Sequence, residues 1–221
     1  MSRRILFADR AEAGRLLADR LAALPLAGAI VLALPRGGVP VGAEIARRLS
    51  IPLDVAHVRK LGAPDQPELA IGAIADGDDP EVVINGALVR QLGLGEDFIA
   101  RELARERDSI ARRRSGYAGL KPPIEAEGRT VIVVDDGVAT GMTMRAALRH
   151  IRRRRPHRLI AAVPVASRDA LALLDAEADD VVCLASPRRF GSVGAFYRSF
   201  TQVMDEEVAK LLSEFGANAR T

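Results

Sequence analysis

Residues 131–143 read VIVVDDGVATGMT. The stretch begins with four branched apolar residues, Val131 to Val134, which is typical of a strand buried on both faces of a parallel sheet. Two carboxylates, Asp135 and Asp136, follow where that strand should end. A loop of small and hydroxyl-bearing residues then leads into a helix predicted from Met144 to Arg155. The stretch therefore predicts a strand, an acidic pair, a small-residue loop and a helix N-terminus.

The order of these parts indicates a site for a phosphorylated sugar. Ligands of open parallel sheets bind at the carboxyl ends of the strands. A helix N-terminus suits a phosphate, because it has unpaired N–H groups and the positive end of the helix dipole. Gly137 and Gly141 allow the backbone to approach a ligand closely, and Thr140 and Thr143 add hydroxyl donors. The carboxylates would repel a phosphate, so they suit sugar hydroxyls or a divalent cation.

The whole stretch resembles the phosphoribosyl diphosphate (PRPP) binding motif of the type I phosphoribosyltransferases. The resemblance implies that Asp135 and Asp136 are catalytic residues that hold the ribose hydroxyls and contact Mg²⁺ through water. It also implies that the loop binds the 5-phosphate of PRPP, through Ala139, Thr140, Gly141, Met142 and Thr143. The alternative for the same residues is a buried strand that ends in a solvated Asp-Asp-Gly turn.

The composition is typical of one globular α/β domain spanning residues 1–221. Hydrophobic residues make up 48% of the 221 residues, which is enough for a sizeable core. The single cysteine, Cys183, excludes an internal disulfide. We see no apolar run of membrane-spanning length and no signal peptide, so we expect a cytoplasmic protein. The net charge of +3 does not by itself indicate nucleic-acid binding.

Apolar runs alternate with amphipathic stretches along the chain, which predicts a mainly parallel five-stranded sheet flanked by helices. The predicted strands are Ala29 to Leu34, Leu53 to Val58, Val131 to Val134, Leu159 to Val165 and Val181 to Ala185. The predicted helices are 9–24, 40–49, 96–114, 144–155, 168–177 and 205–215. We place the core at about residues 25–185, with a hood formed by residues 186–200 and the C-terminal helix.

A second loop follows the first predicted strand and reads Pro35-Arg36-Gly37-Gly38, with Pro40 opening a helix. It resembles the pyrophosphate loop of the same family, which implies that Arg36, Gly37 and Gly38 bind pyrophosphate. Lys60, beside Arg59 at the predicted end of the second strand, is expected to join them. The alternatives are an ordinary turn between strand and helix and a solvated pair of cations.

Residues 61–80 are rich in glycine and proline and lie where the family has its flexible catalytic loop. We expect a mobile lid there, with Glu68 or Asp65 as a candidate base, or else a surface hairpin. In the hood, Phe196 and Tyr197 are candidates to line the acceptor pocket by stacking, or else to pack the C-terminal helix.

The resemblance implies transfer of a 5-phosphoribosyl group from PRPP, with Mg²⁺, to a small-molecule nitrogen acceptor such as a nucleobase. Members that use oxopurines carry a third acid near the start of the phosphate loop, where this chain has Ala139, so hypoxanthine and guanine are not expected. The rival is a PRPP-sensing regulator that binds nucleic acid through the arginines at 112–114 and 152–155. A phospho-acceptor domain is disfavoured, because Leu34-Pro35 supplies no acid. We expect neither a membrane nor a nucleic-acid partner, and a homodimer is an open alternative.

Overall fold

The computed structural model describes residues 5–75, 80–117 and 124–216. Its strands are β1 (Ile30–Ala33), β2 (Leu53–Val55), β3 (Val58–Ala63), β4 (Gln66–Ala75), β5 (Glu81–Ile84), β6 (Thr130–Val134), β7 (Arg158–Val165) and β8 (Asp180–Ala185). Its α-helices are α1 (Arg10–Leu21), α2 (Gly38–Leu49), α3 (Gly86–Gln91), α4 (Glu96–Tyr117), α5 (Met142–Arg153), α6 (Arg168–Asp175) and α7 (Asp205–Gly216).

Five strands form a parallel sheet in the order β2-β1-β6-β7-β8, as predicted. Every residue of β6 is buried, and its side chains alternate between two hydrophobic cores. Val131 and Val133 pack in the core that contains α5, whereas Ile132 and Val134 pack in the core that contains α1, α2 and α7. The prediction of a strand covered on both faces is confirmed, and it places Asp135 at the carboxyl edge of the sheet.

The prediction of a single strand from Leu53 to Val58 is wrong. β2 ends at Val55, and β3 begins at Val58 in a separate antiparallel sheet of order β3-β4-β5. Only Ala56 and His57 separate the two strands, and neither glycine nor proline is present there to mark the break. Arg59 and Lys60 therefore lie inside β3 and not at the carboxyl end of a parallel strand.

Residues 61–75 form a hairpin, which is the alternative that the sequence leaves open beside a mobile lid. They belong to β3 and β4, which pair as a hairpin with Asp65 in a left-handed conformation at its tip. Leu61, Ile71 and Ile74 are fully buried and pack with Ile110 of α4, so the hairpin has its own small core. Residues 76–79 and the side chain of Glu68 lie outside the described part of the chain. Closure of this hairpin over a ligand stays a prediction.

Two helices begin inside the loops that the sequence singles out. α2 starts at Gly38 and α5 at Met142, each two residues earlier than predicted. At α5 the reason is Gly141, whose φ of 81° is a left-handed conformation that favours glycine and turns the chain directly into the helix. The N–H groups of both helix ends therefore lie within the candidate ligand loops.

The N-terminal segment and the chain after β8 pair with each other beside the sheet. The Leu6 N–H donates to the Phe196 carbonyl at 2.9 Å, and the Arg198 N–H donates to the Phe7 carbonyl at 2.9 Å. The predicted hood segment thus has the N-terminal segment as its partner. Within the ranges described, we find no helix that combines the length and the apolar character needed to cross a membrane.

Candidate active site

An ion pair joins Arg10 to Asp136, the second acid of the motif. The Nε of Arg10, the first residue of α1, lies 2.7 Å from Oδ2 of Asp136, and the two side chains are only 11% and 12% exposed. The same guanidinium donates to the carbonyl of Thr201 at 2.7 Å and lies 3.8 Å from the ring centroid of Phe200. Arg10 therefore joins the acidic pair to the segment that precedes α7.

The two acids differ in their surroundings. Asp135 accepts a hydrogen bond from the Asp136 N–H at 2.8 Å. Burial raises the pKa of Asp135 well above its usual range, and the charge of Asp136 raises it further. Burial also raises the pKa of Asp136, and there the Arg10 guanidinium opposes the rise. A negative charge at Asp135 is thus stabilised less by the free protein than by water.

We expect Asp135→Asn to stabilise the ligand-free protein at pH 7. The pKa of Asp135 is higher in the folded chain than its ordinary value of 3.8, so the folded state binds the proton more tightly. The free energy of unfolding therefore falls as pH rises from the ordinary value through the raised pKa, and it stays lower above that pKa. Removing the charge should therefore raise the melting temperature at pH 7, and the gain should shrink as the pH falls towards 4.

Thermal unfolding between pH 4 and pH 8 measures this effect. Asp108→Asn, a change of the same kind on the exposed face of α4, is the control and should leave the midpoint within about 1 °C of the wild-type value. A lower melting temperature of Asp135→Asn at pH 7 would show that the ionised carboxylate stabilises the free fold.

The glycines of the second loop pack directly against the acids. A Cβ atom added to Gly37 would collide with Oδ2 of Asp136, and one added to Gly38 would lie 2.6 Å from the carbonyl oxygen of Val134. Neither glycine has room for a side chain, so the loop backbone touches the acidic pair. The peptide bond between Pro35 and Arg36 is cis.

A cleft of about 500 Å³ opens at this contact. It brings together three residues predicted from sequence, Arg36, Gly37 and Asp136. The remaining residues that line it are Arg10, Pro35, Arg59, Phe200, Thr201, Gln202 and Val203. Of the described ligand candidates, Asp135, Gly38, Lys60 and the loop 139–143 do not line the cleft itself.

Arg59, and not Lys60, supplies the cation that β3 contributes to the cleft. Neighbouring residues of a strand point to opposite faces, so only one of the two can face the ligand. The Nε of Arg59 lies 2.8 Å from Oε2 of Glu106, whose side chain is 7% exposed. Glu106 is buried, so α4 places a carboxylate against the arginine of the cleft from within the fold.

The phosphate loop is fixed from the side of β7. The Ser167 hydroxyl donates to the Ala139 carbonyl at 2.6 Å, and the Val138 N–H donates to the Val165 carbonyl at 2.9 Å. Ala139 and Thr140 are exposed, and α5 begins without a side-chain cap and without an acid in its first turn. This arrangement leaves helix N–H groups available to an anion.

The aromatic residue that reaches the cleft is Phe200, which is 38% exposed. Phe196 and Tyr197 are 8% and 5% exposed and pack with Phe7 instead. The Tyr197 hydroxyl donates to the backbone carbonyl of Asp136, and burial raises the pKa of this phenol, so it remains a donor. Tyr197 therefore acts as a support beneath the acidic pair.

The residues present suit Mg²⁺ only as an ion that arrives with its ligand. In the part of the chain that the structure describes, no three His, Cys, Asp or Glu side chains converge to form a metal site. Asp135 and Asp136 offer carboxylate oxygens, and Oδ2 of Asp136 already accepts from Arg10. Mg²⁺ commonly takes most of its ligands from phosphates and water, so this donor set fits an ion carried by a diphosphate.

Arg10, Arg59, Phe200 and Ser167 belong to the site. The sequence marks Arg59 only as the neighbour of Lys60 and Phe200 only as the end of the hood segment, and it predicts no role for Arg10 or Ser167. Ser167 has a local signal, because it precedes a predicted helix and caps α6. The other three come from α1, β3 and the segment before α7, and their spacing in the sequence carries no information about their meeting.

The basic cluster at 152–155 is largely paired with acids. Nη2 of Arg152 lies 2.9 Å from Oδ1 of Asp179, and Nη2 of Arg153 lies 2.9 Å from Oε2 of Glu81. Arg155 lies 2.7 Å from Glu127. Of the other cluster, Arg112 is exposed, and the side chains of Arg113 and Arg114 lie outside the described residues. These ion pairs reduce the positive potential that a nucleic acid would need.

Comparison with known proteins identifies the family of this chain. The crystal structure of TT1426 from Thermus thermophilus is 45% identical and superposes with a TM-score of 0.80 over 96% of this chain and 100% of that chain. Two Mycobacterium tuberculosis proteins, each named "Putative phosphoribosyl transferase", are 44% identical over 94% of this chain, which spans 46% of their length. The profile of the family described as "Phosphoribosyl transferase domain" matches residues 8–195. The chain belongs to the phosphoribosyl transferase domain family.

Proposed function

We propose that the protein transfers a 5-phosphoribosyl group from PRPP to a nitrogen acceptor and releases pyrophosphate. The observation that carries this proposal is the contact between Gly37 and Asp136. Through this contact, the candidate pyrophosphate loop and the candidate ribose-binding acid meet at one cleft. PRPP requires such an arrangement, because the same ribose carries both its pyrophosphate and its hydroxyls.

In this proposal each part of PRPP has its own partner. Asp135 and Asp136 accept hydrogen bonds from the ribose hydroxyls. The backbone N–H groups of residues 139–143 and the first turn of α5 bind the 5-phosphate. Arg36 and the N–H group of Gly37 bind the pyrophosphate, whereas the N–H of Gly38 already donates to the Leu34 carbonyl at 3.0 Å, so Gly38 contributes its close backbone approach. Arg59 takes the place of Lys60 as the second cation, because it lines the cleft.

The chemistry then depends on position and charge. The C1–O bond to pyrophosphate breaks as the acceptor nitrogen bonds to C1, and the sugar passes through an oxocarbenium-like state. Arg36 and Arg59 stabilise the negative charge that develops on the leaving group. Mg²⁺ bound to the diphosphate would neutralise part of that charge. Asp65, at the tip of the β3–β4 hairpin, and Glu68 remain the proposed sources of a general base.

The acceptor should not be hypoxanthine or guanine. Ala139 has no side-chain oxygen to accept from the N–H groups of an oxopurine, and its backbone carbonyl already accepts a hydrogen bond from the Ser167 hydroxyl. We therefore expect no efficient formation of inosine or guanosine monophosphate from PRPP, measured by chromatography of the products. Rapid formation of either nucleotide would show that recognition of the base does not need an acid at this position.

The test of the proposal is binding and turnover of PRPP. Thermal shift with PRPP and Mg²⁺, repeated over a panel of nucleobases and small amines, should show stabilisation by PRPP, and the productive acceptor should release pyrophosphate. Ribose without phosphate should have no effect. Absence of any PRPP-dependent shift would overturn the proposal, and salt-sensitive binding of RNA or DNA would favour a regulator instead.

A further inference from the structure

Arg10 lies where the acidic pair meets the wall of the cleft. Two of its N–H groups are used, one on Asp136 and one on the Thr201 carbonyl, and its guanidinium rests on the ring of Phe200. Only the contact with Asp136 involves the motif, so the Thr201 carbonyl and the Phe200 ring hold Arg10 in place independently of the motif. Its side chain is 11% exposed, which restricts it to this orientation.

Asp136 depends on that contact for its orientation. Its carboxyl group sits between the Arg10 guanidinium and the backbone of Gly37, beside the second acid Asp135. Two buried neighbouring carboxylates repel each other, and a cation on one of them offsets the repulsion. The bond from Arg10 engages Oδ2 of Asp136, and the Asp135 carboxyl group is a second hydrogen-bond partner of the same side chain, so Arg10 helps to fix the orientation of the acidic pair.

We propose that Arg10 is a positioning residue for PRPP, which fixes the Asp136 carboxylate for the ribose and ties it to the Phe200–Thr201 wall of the cleft. The inference rests on the proposed function. A guanidinium can do this because its planar fork donates in two directions at once, to the carboxylate and to the carbonyl. A lysine in the same position has a single charged nitrogen, so it can retain the contact with the Asp136 carboxylate more easily than it can make both contacts at once.

The experiment compares two probes, Mg²⁺-PRPP and Mg²⁺-pyrophosphate, by titration calorimetry. Arg10→Met should weaken PRPP binding about 10- to 100-fold, since a charge-assisted bond is lost and a buried carboxylate loses its partner. Pyrophosphate carries no ribose and should bind within about threefold of its wild-type affinity. Arg10→Lys should recover part of the lost PRPP affinity. Arg20→Met, on the exposed last turn of the same helix, is the control and should bind both probes normally.

The outcomes separate the possibilities. Equal weakening of both probes would mean that Arg10 only maintains the fold or contacts the diphosphate directly, and would overturn the proposal. Tighter PRPP binding by Arg10→Met would mean that Arg10 competes with the ribose for Asp136, and unchanged binding would mean that it has no part in the site. If Arg10→Met does not fold, the Arg10→Lys titration decides, because a loss confined to PRPP supports positioning and no loss contradicts it. Failure of the wild-type protein to bind PRPP would instead refute the proposed function.

Discussion

Replacing Asp135 and Asp136 together by asparagine will abolish the stabilisation of the protein by PRPP and Mg²⁺. A ligand at 100 times its dissociation constant adds about 2.7 kcal/mol to the free energy of unfolding, which is a readily measured rise in melting temperature. Asparagine has nearly the same shape, and its amide oxygen can still accept the N–H bond made at Asp135. Its amide group, however, carries no charge and is a weaker acceptor for ribose hydroxyls.

Thermal shift with and without PRPP measures this loss. The control is the pair Asp19→Asn and Asp108→Asn, which changes two exposed carboxylates in the same way and should keep the full PRPP-dependent shift. The double variant must also be folded in the absence of ligand, which circular dichroism establishes. PRPP stabilisation equal to that of the wild type would mean that the acids do not bind the donor.

Gly37→Ala will damage both the fold and the site. The added Cβ would collide with Oδ2 of Asp136, so either the loop or the carboxyl group must move. Overpacking of this kind costs about 1–3 kcal/mol in stability. The shift also separates the pyrophosphate loop from the acid that it touches, so we expect PRPP to give little or no stabilisation.

Gly191→Ala provides the matched control for this change. A Cβ at Gly191 meets nothing within 4 Å, and its backbone is not left-handed, so alanine should be tolerated there with normal PRPP binding. Wild-type affinity for PRPP in Gly37→Ala would show that the contact between Gly37 and Asp136 is not required for binding.

The sequence determined the central architecture and the motif. A run of branched apolar residues has few solutions other than a strand covered on both faces, and β6 is buried at every residue. Glycines and acids that follow such runs fall at the carboxyl edge, so Asp135, Asp136 and the loop from Arg36 to Gly38 could be located before their contacts were known. The start of α1 is also set by local sequence, since the carboxylate of the N-cap Asp9 accepts a hydrogen bond from the N–H of Glu12.

Only the tertiary structure decided which side chains complete the cleft. Arg10, Arg59 and Phe200 come from distant parts of the chain, and their meeting depends on how α1, β3 and the segment before α7 pack around the sheet. The same holds for the second sheet, because antiparallel pairing buries Ile71 and Ile74 among glycines that locally favour a loop. Spacing along a chain reports local periodicity, whereas ion pairs such as Arg10–Asp136 arise from packing between elements that are far apart in sequence.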